Sequence, residues 1–263
     1  MNIALIFAGG IGQRLNDNKN VVPKQFLKIN EKPILVHTLL HFQKHKEIDK
    51  IYVVILPEYR EYTKKLIMEF ALEKVASLVD GGSSAQDSIY NGLKKIAADN
   101  QADDIVLIHD GVRPVVSSEV ISNTIASVKQ YGTGITATPC YETILVSPDG
   151  IKPTAVPYRK ETFVAQAPQG FLLGEIFSAH EEVRNSKNGY KDIVDSCTLF
   201  HSLGKETHLV KGNFGNIKIT TPQDVYILKG MLNYLNAIEN GEFITLYEQD
   251  KQEILGDNGD VRS

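Results

Sequence analysis

Short, unbroken apolar runs alternate with longer stretches of helical spacing along the first half of the chain. NIALIF, KIYVVIL, ASLVD and DIVLIHD are each of strand length and carry apolar residues at odd and even positions alike. Strands of that kind belong in a parallel sheet covered on both faces by helices. Between them, PILVHTLLHFQKHK, PEYREYTKKLIMEFAL and SSAQDSIYNGLKKIAA place apolar residues three and four apart, the spacing of amphipathic helices. The third opens with Ser84 and has Asp87 three positions on, a capping-box spacing. This alternation predicts a three-layer α/β/α sandwich.

Past residue 130 the rhythm changes. From Gly132 to about Gln169, strand-like pieces (GITATP, ETILVS, GIKPTAV) are separated by turn signals such as SPDG, with little helical spacing. That reads as an excursion from the sheet, a β-arm at about residues 140–166. Helical spacing returns at about 173–183 and 194–203, followed by the strand THLVKG. Thr221, Pro222 and Asp224 then form a capping box with proline at the first helical position, opening a last helix to about Leu235. The expected organisation is one domain over residues 1–238 and a polar C-terminal tail over 239–263.

Composition narrows the function classes. With 42% apolar and 23% charged residues the chain is an ordinary globular protein. A formal charge of -4 offers no general attraction to nucleic acid or anionic lipid, so any phosphate chemistry must rely on a local cluster of cations. Cys140 and Cys197 fit neither a metal knuckle nor a redox pair. The opening run IALIF is too short for a membrane span and lacks the basic flank of a signal peptide, which leaves the cytoplasm as the expected location.

The candidate chemistry starts in the turn after the first predicted strand. Gly9, Gly10 and Gly12 occupy the position where an open α/β sheet commonly takes a phosphate. Without Cβ atoms they allow close backbone approach and a set of N–H donors; a tight turn needing positive φ is the alternative reading. Leu15 breaks a dinucleotide fingerprint, and the Gly-Lys-Ser/Thr ending of a P-loop is absent. Arg14 and Lys24 supply cations instead, a planar fork and a compact point charge, and together could hold a triphosphate.

AGGIGQR followed by PKQF resembles the CTP-dependent cytidylyltransferases that activate methylerythritol 4-phosphate or ribitol 5-phosphate. The likeness continues in the family's order through DGG and Ser88, HDGVRP at 109–114, PQ at 168–169 and NIKITTP at 216–222. It implies a Rossmann-like nucleotidyltransferase fold with a projecting β-arm. It also implies CMP transfer from CTP to a sugar-alcohol phosphate, with Mg²⁺ as cofactor and a homodimer built through the arm.

By this resemblance Ala8, Gly9, Gly10 and Gly12 wrap CTP, and Gly82 and Ser88 lie near its base and ribose. Arg14 and Lys24 neutralise the triphosphate, and Lys218 sits on the α-phosphate. Asp110 holds the metal, Arg113 lies near the acceptor, and Arg159 reaches from the arm into a neighbouring subunit to bind the acceptor's phosphate. On residue type alone, Asp110 is more often a turn or cap residue and Lys218 a solvated lysine beside a strand, while Arg113 could support the loop and Arg159 lie on a solvated strand face.

The acceptor in such a reaction is itself a phosphomonoester, so no protein nucleophile is needed, and neither a GxSxG elbow nor an HExxH motif occurs. Several positions depart from the methylerythritol branch: Ser83 and Ser84 replace acidic residues, Ala85 an arginine, and Ala167 and Val194 threonines. The segment VPYRKETFVAQAPQ is closer to the ribitol phosphate enzymes, so a ribitol 5-phosphate-like acceptor is favoured over methylerythritol phosphate. A degenerate nucleotide-binding module is the reading outside enzymes. His37, His41 and His45 share a helical face, but the outer two stand roughly 12 Å apart, too far for one ion. Tyr59 and Tyr62 beside Arg60 and Lys64 read as a helix face rather than a base-stacking platform.

Overall fold

The computed structural model describes residues 1–9 and 22–241. The chain divides into two compact units, Met1–Lys218 and Ile219–Ser263. The first half of the larger unit follows the predicted alternation. Strand β1 (Asn2–Ala8) is followed by a small antiparallel pair, β2 (Lys28–Ile29) and β3 (Lys32–Pro33), and by helix α1 (Ile34–Lys44). Then come β4 (Lys50–Ile55), α2 (Arg60–Glu69), β5 (Val75–Asp80), α3 (Ala85–Asp99) and β6 (Ile105–Asp110).

Helix α4 (Ser118–Tyr131) and strand β7 (Thr133–Pro139) come next, and β8 (Phe163–Leu172) runs into α5 (Leu173–Asn185). Helix α6 (Ser196–Ser202) and β9 (Leu209–Lys211) complete the larger unit. In the smaller one, α7 (Pro222–Glu239) extends past its expected end and opens with the anticipated box: the Asp224 carboxylate accepts from the Thr221 N–H at 2.7 Å.

Among the described residues seven strands form one sheet in the order β5-β4-β1-β6-β8-β7-β9. The four strands read from unbroken apolar runs are parallel, whereas β8 is antiparallel to both β6 and β7. Side chains alternate across this sheet. Ala4 and Ile6 of β1 pack with Leu35, Leu39 and Phe42 of α1 and Ile121 and Ile125 of α4. Ile3 and Leu5 pack on the other face with Leu93 of α3, Ile176 of α5 and Leu199 of α6. Truncating any of these buried leucine or isoleucine side chains to alanine costs on the order of 2–5 kcal/mol. Strand β5 departs from the expectation of burial on both faces: it lies at the sheet's edge and is only partly covered.

Two elements went unread in the sequence. Helix α4 has its own signals, a Ser117 cap accepting from the Val120 N–H and Gly132 in the left-handed region at its end. Strand β8 carries Pro168 in its middle, and its ladder with β7 shifts register between Ile135 and Ala137. The excursion between β7 and β8 is sparer than ETILVS and GIKPTAV predict: a single antiparallel bridge joins Val146 and Ala155. At its tip the Asp149 carboxylate accepts from the backbone N–H groups of Lys152 and Ile151, which hold its pKa down at about 2.

Candidate active site at the carboxyl edge of the sheet

Phe7 pairs with Asp110, Ala8 with Ile55, and Ile55 with Asp80, so β1, β4, β5 and β6 end side by side. The motif-bearing turns after β1, β5 and β6 therefore leave the sheet at one edge, where open α/β sheets take their ligands.

Gly9 lies against the β5–α3 turn, and its glycine identity answers to close approach. A Cβ there would stand 3.0 Å from the Ser88 Oγ and 3.4 Å from the Gly81 Cα. Gly82 is tighter, since a Cβ would fall 2.3 Å from the Asp87 Cβ and 2.9 Å from its backbone carbon. The Ser88 hydroxyl accepts from the Gly82 N–H at 3.0 Å and donates to the Ser84 carbonyl at 2.9 Å, which folds residues 82–88 over the start of α3. The Ala8 carbonyl accepts from the buried Gln25 amide at 2.7 Å, tying PKQF to the end of β1. Lys24 is half-buried in the short 3₁₀ turn Lys24–Phe26. Gly10, Gly12 and Arg14 lie outside the described residues.

Ser84 caps α3 by accepting from the Asp87 N–H at 3.0 Å, but the other half of the expected box is replaced. The Asp87 carboxylate accepts from the Ser83 and Ser84 hydroxyls at 2.6 and 2.9 Å and pairs with Arg184 of α5 at 2.6 Å. The Ser83 and Ser84 departures thus brace this turn.

Asp110, Arg113 and Lys218 come together at the end of β6. The Asp110 carboxylate takes the Lys218 ammonium at 2.6 Å on one oxygen and the Arg113 Nε at 2.8 Å on the other. Burial alone would raise the Asp110 pKa, but the two cations outweigh it and hold the acid at about 2. Arg113 also donates to the Asn216 carbonyl at 2.8 Å, and the Asn216 amide donates to the Ala167 carbonyl. The His109 Nε2 sits 3.1 Å from the Arg113 carbonyl, and burial pushes that imidazole down to about 3. Lys218 is therefore placed by a chain of contacts from HDGVRP through a fully buried asparagine. Arg113 supports this loop as well as edging the cleft.

A cleft opens beside this cluster, lined by residues of β1 and α3 (Phe7, Ala85, Ile89), of β8 (Ala165, Ala167) and of the segment Val194 to Ser196. Three of the positions that depart from the methylerythritol branch, 85, 167 and 194, thus share one cavity with Asp110 and Lys218. In the cleft wall itself the Gln169 amide donates to Asp195 at 2.8 Å and its carbonyl accepts from the Cys197 N–H at 3.0 Å. Gln25, Asn216 and Gln169, all buried, lie in the matched motifs PKQF, NIKITTP and PQ, but the sequence assigns them no role. A lone buried amide leaves no periodic trace; its position inside a quoted motif is the available signal.

Arg159 does not line this cleft. It is exposed on the excursion and donates to the Tyr141 carbonyl at 3.3 Å. The three histidines are structural: their Nε2 atoms lie 2.8 Å from the Ile29 carbonyl, 2.9 Å from that of Pro114 and 3.2 Å from that of Ser118. Tyr59 stacks on Phe26 with ring centres 4.8 Å apart and packs against the core, and Tyr62, exposed, meets Phe26 edge-on at 5.3 Å, so both rings are engaged by Phe26. Among the described residues no group of three or more His, Cys, Asp or Glu side chains could hold a metal, and no helix is long and apolar enough to cross a membrane.

Comparison with known proteins gives the same reading. The family profile of 2-C-methyl-D-erythritol 4-phosphate cytidylyltransferase, IspD, matches residues 2–233. A ribitol-5-phosphate cytidylyltransferase of Vibrio parahaemolyticus is 40% identical over 233 residues, covering 89% of this chain and 96% of that protein. A 2-C-methyl-D-erythritol 4-phosphate cytidylyltransferase of Clostridium botulinum is 36% identical over 234 residues, covering 89% and 98%. The crystal structure of 4-diphosphocytidyl-2C-methyl-D-erythritol synthase from Anaerococcus prevotii superposes with a TM-score of 0.75 at 28% identity, covering 88% of this chain and 96% of that one. Fold and relatives define an enzyme, a nucleotidyltransferase. The chain belongs to the 2-C-methyl-D-erythritol 4-phosphate cytidylyltransferase (IspD) family.

Proposed function

We propose that the protein transfers CMP from CTP to a sugar-alcohol phosphate resembling ribitol 5-phosphate, giving a CDP-alditol and pyrophosphate. The observation that carries this reading is the Asp110–Lys218 pair beside a cleft at the sheet's carboxyl edge, next to the glycine turn after β1. In the reaction a phosphate oxygen of the acceptor bonds to the α-phosphorus of CTP. The bond from that phosphorus to the oxygen bridging the α- and β-phosphates breaks, and pyrophosphate leaves. The attacking oxygen is already anionic, so no base is required. The difficulty lies in bringing two anions together, and fixed cations and in-line positioning overcome it.

In this scheme Ala8, Gly9, Gly10 and Gly12 present backbone donors to CTP, and Gly82 and Ser88 border its base and ribose. Arg14 and Lys24 offset the triphosphate charge. Lys218 exchanges Asp110 for the α-phosphate, and Arg113 holds the loop. Asp110 is a single hard oxygen donor, which fits a Mg²⁺ ion held jointly by one carboxylate and the phosphates of the nucleotide. Such an ion supplies charge neutralisation to the phosphates when bound.

The ribitol phosphate assignment is supported by the higher identity to that branch and by the segment VPYRKETFVAQAPQ. The second reading, methylerythritol 4-phosphate as acceptor, is favoured by the family profile and by the solved structure named above. A homodimer through the excursion is supported by its exposed apolar side chains, among them Tyr141, Leu145, Ile151 and Tyr158, with Arg159 serving the second subunit's acceptor. A cytoplasmic setting accords with two unpaired cysteines. The test is pyrophosphate release with CTP and each acceptor side by side. Preference for methylerythritol phosphate overturns the acceptor assignment. Silence across a panel of alditol phosphates, with CTP still bound, overturns the enzyme assignment in favour of a binding module.

A further inference from the structure

Hydrogen-bond accounting around the cleft singles out one side chain. Asp110, Arg113 and Lys218 satisfy one another. Asp195 is fully engaged, with one oxygen accepting from the Thr198 N–H and hydroxyl at 2.8 and 2.7 Å and the other from Gln169. Gln169 in turn has both ends of its amide occupied. The Gln166 amide donates to the Asn213 carbonyl at 3.2 Å, and its unpartnered oxygen is packed against Gly212. Ala85, Ile89, Ala165, Ala167 and Val194 offer no polar side-chain atom. Ser196 is different: it lines the cleft, is 2% exposed, and its buried hydroxyl has no hydrogen-bond partner among the described residues.

A buried hydroxyl left unpaired destabilises the fold that carries it, and alanine at the same place would remove that cost. Nor does α6 require a serine there, because the Asp195 carboxylate already caps the helix. A serine that the fold does not use, in the wall of a substrate cleft, has its partner in the substrate. We propose that Ser196 is a specificity-determining residue whose hydroxyl hydrogen-bonds a hydroxyl group of the polyol chain of the acceptor. Acceptors without a hydroxyl at the matching carbon are discriminated against by the group left unpaired. This rests on the reading of the protein as a polyol phosphate cytidylyltransferase.

The experiment compares the full-length enzyme with Ser196→Ala and Ser196→Thr, using CTP, ribitol 5-phosphate and a set of its mono-deoxy analogues. In Ser196→Ala the KM for ribitol 5-phosphate rises about tenfold, the KM for CTP is unchanged, and the melting temperature is equal or higher. Ser196→Thr, which keeps the hydroxyl, restores part of the loss. One deoxy analogue shows no difference between wild type and Ser196→Ala, identifying the carbon that is read. An acceptor KM unaltered by Ser196→Ala, or a melting temperature lowered by several degrees, overturns the proposal while leaving the enzyme reading intact. No turnover of any alditol phosphate by the wild type overturns the enzyme reading and this proposal with it.

Discussion

Lys218 Nζ stands 2.6 Å from Asp110 Oδ1, joining the end of β6 to the NIKITTP segment far along the chain. The lysine is partly exposed while the aspartate is buried, so the ammonium lies on the cleft side of the pair. Removing it takes away a cation placed for phosphate and leaves Asp110 still paired with Arg113. Lys218→Ala should therefore lower kcat by about a hundredfold or more, with a circular-dichroism melting curve within a few degrees of wild type. A variant that keeps its rate removes Lys218 from the mechanism.

Gly82 is the least replaceable glycine of the β5–α3 turn, because a Cβ there meets the backbone of Asp87 rather than the yielding end of a side chain. Gly82→Ala should displace the turn and raise the KM for CTP at least about tenfold, with a smaller effect on the acceptor KM. Gly150→Ala, at the tip of the excursion, meets no atom within 4 Å and carries only the strain of its positive φ. Equal CTP affinities in the two variants would show that the turn does not touch the nucleotide.

Acid should destabilise the protein in two windows. His109 and His180 are pushed down to about 3 by burial, so the unfolded chain takes up protons below about 6.5 that the folded chain refuses. Stability from each is complete above that pH and declines by at most about 1.4 kcal/mol per pH unit as pH falls towards 3. Asp110, held at about 2, contributes stability that is present above its unfolded value near 4 and is lost between about 4 and 2. Urea titrations from pH 8 to 4 on wild type and His109→Gln measure the first window. The variant should show a shallower slope, and an identical slope removes His109 as a cause.

Arg159 lies outside the cleft of its own chain, so any part it takes in acceptor binding must be played in a second copy. Arg159→Ala should raise the acceptor KM with little change in the CTP KM, and sedimentation should give a dimer for both proteins. A monomeric wild type that turns over normally would exclude this arrangement.

The sheet's parallel half was legible because strands buried on both faces announce themselves as unbroken apolar runs, as in Ile105–Asp110. Strand β8 was not, since Gln166 and Gln169, which line the cleft, interrupt its apolar run, and Pro168 removes a ladder donor in its middle. Helix α4 was legible in principle from Ser117, Val120, Ile121, Ile125, Val128 and Gly132. The candidate site was visible as motifs, since Asp110, Arg113 and Lys218 each fall in a quoted segment. What joins those segments was not visible. Asn216 donating to Ala167, or Gln25 to Ala8, depends on three-dimensional neighbours that no local spacing encodes.

The antiparallel entry of β8 has a mechanical corollary. The excursion departs from Pro139 and comes back at Phe163, which face each other across the ladder, and two residues later the same backbone forms the cleft wall at Ala165. No hinge element intervenes between the two. A second protein gripping the excursion would thus pull directly on the wall of the cleft, so the shape of that pocket would answer to whatever the excursion holds.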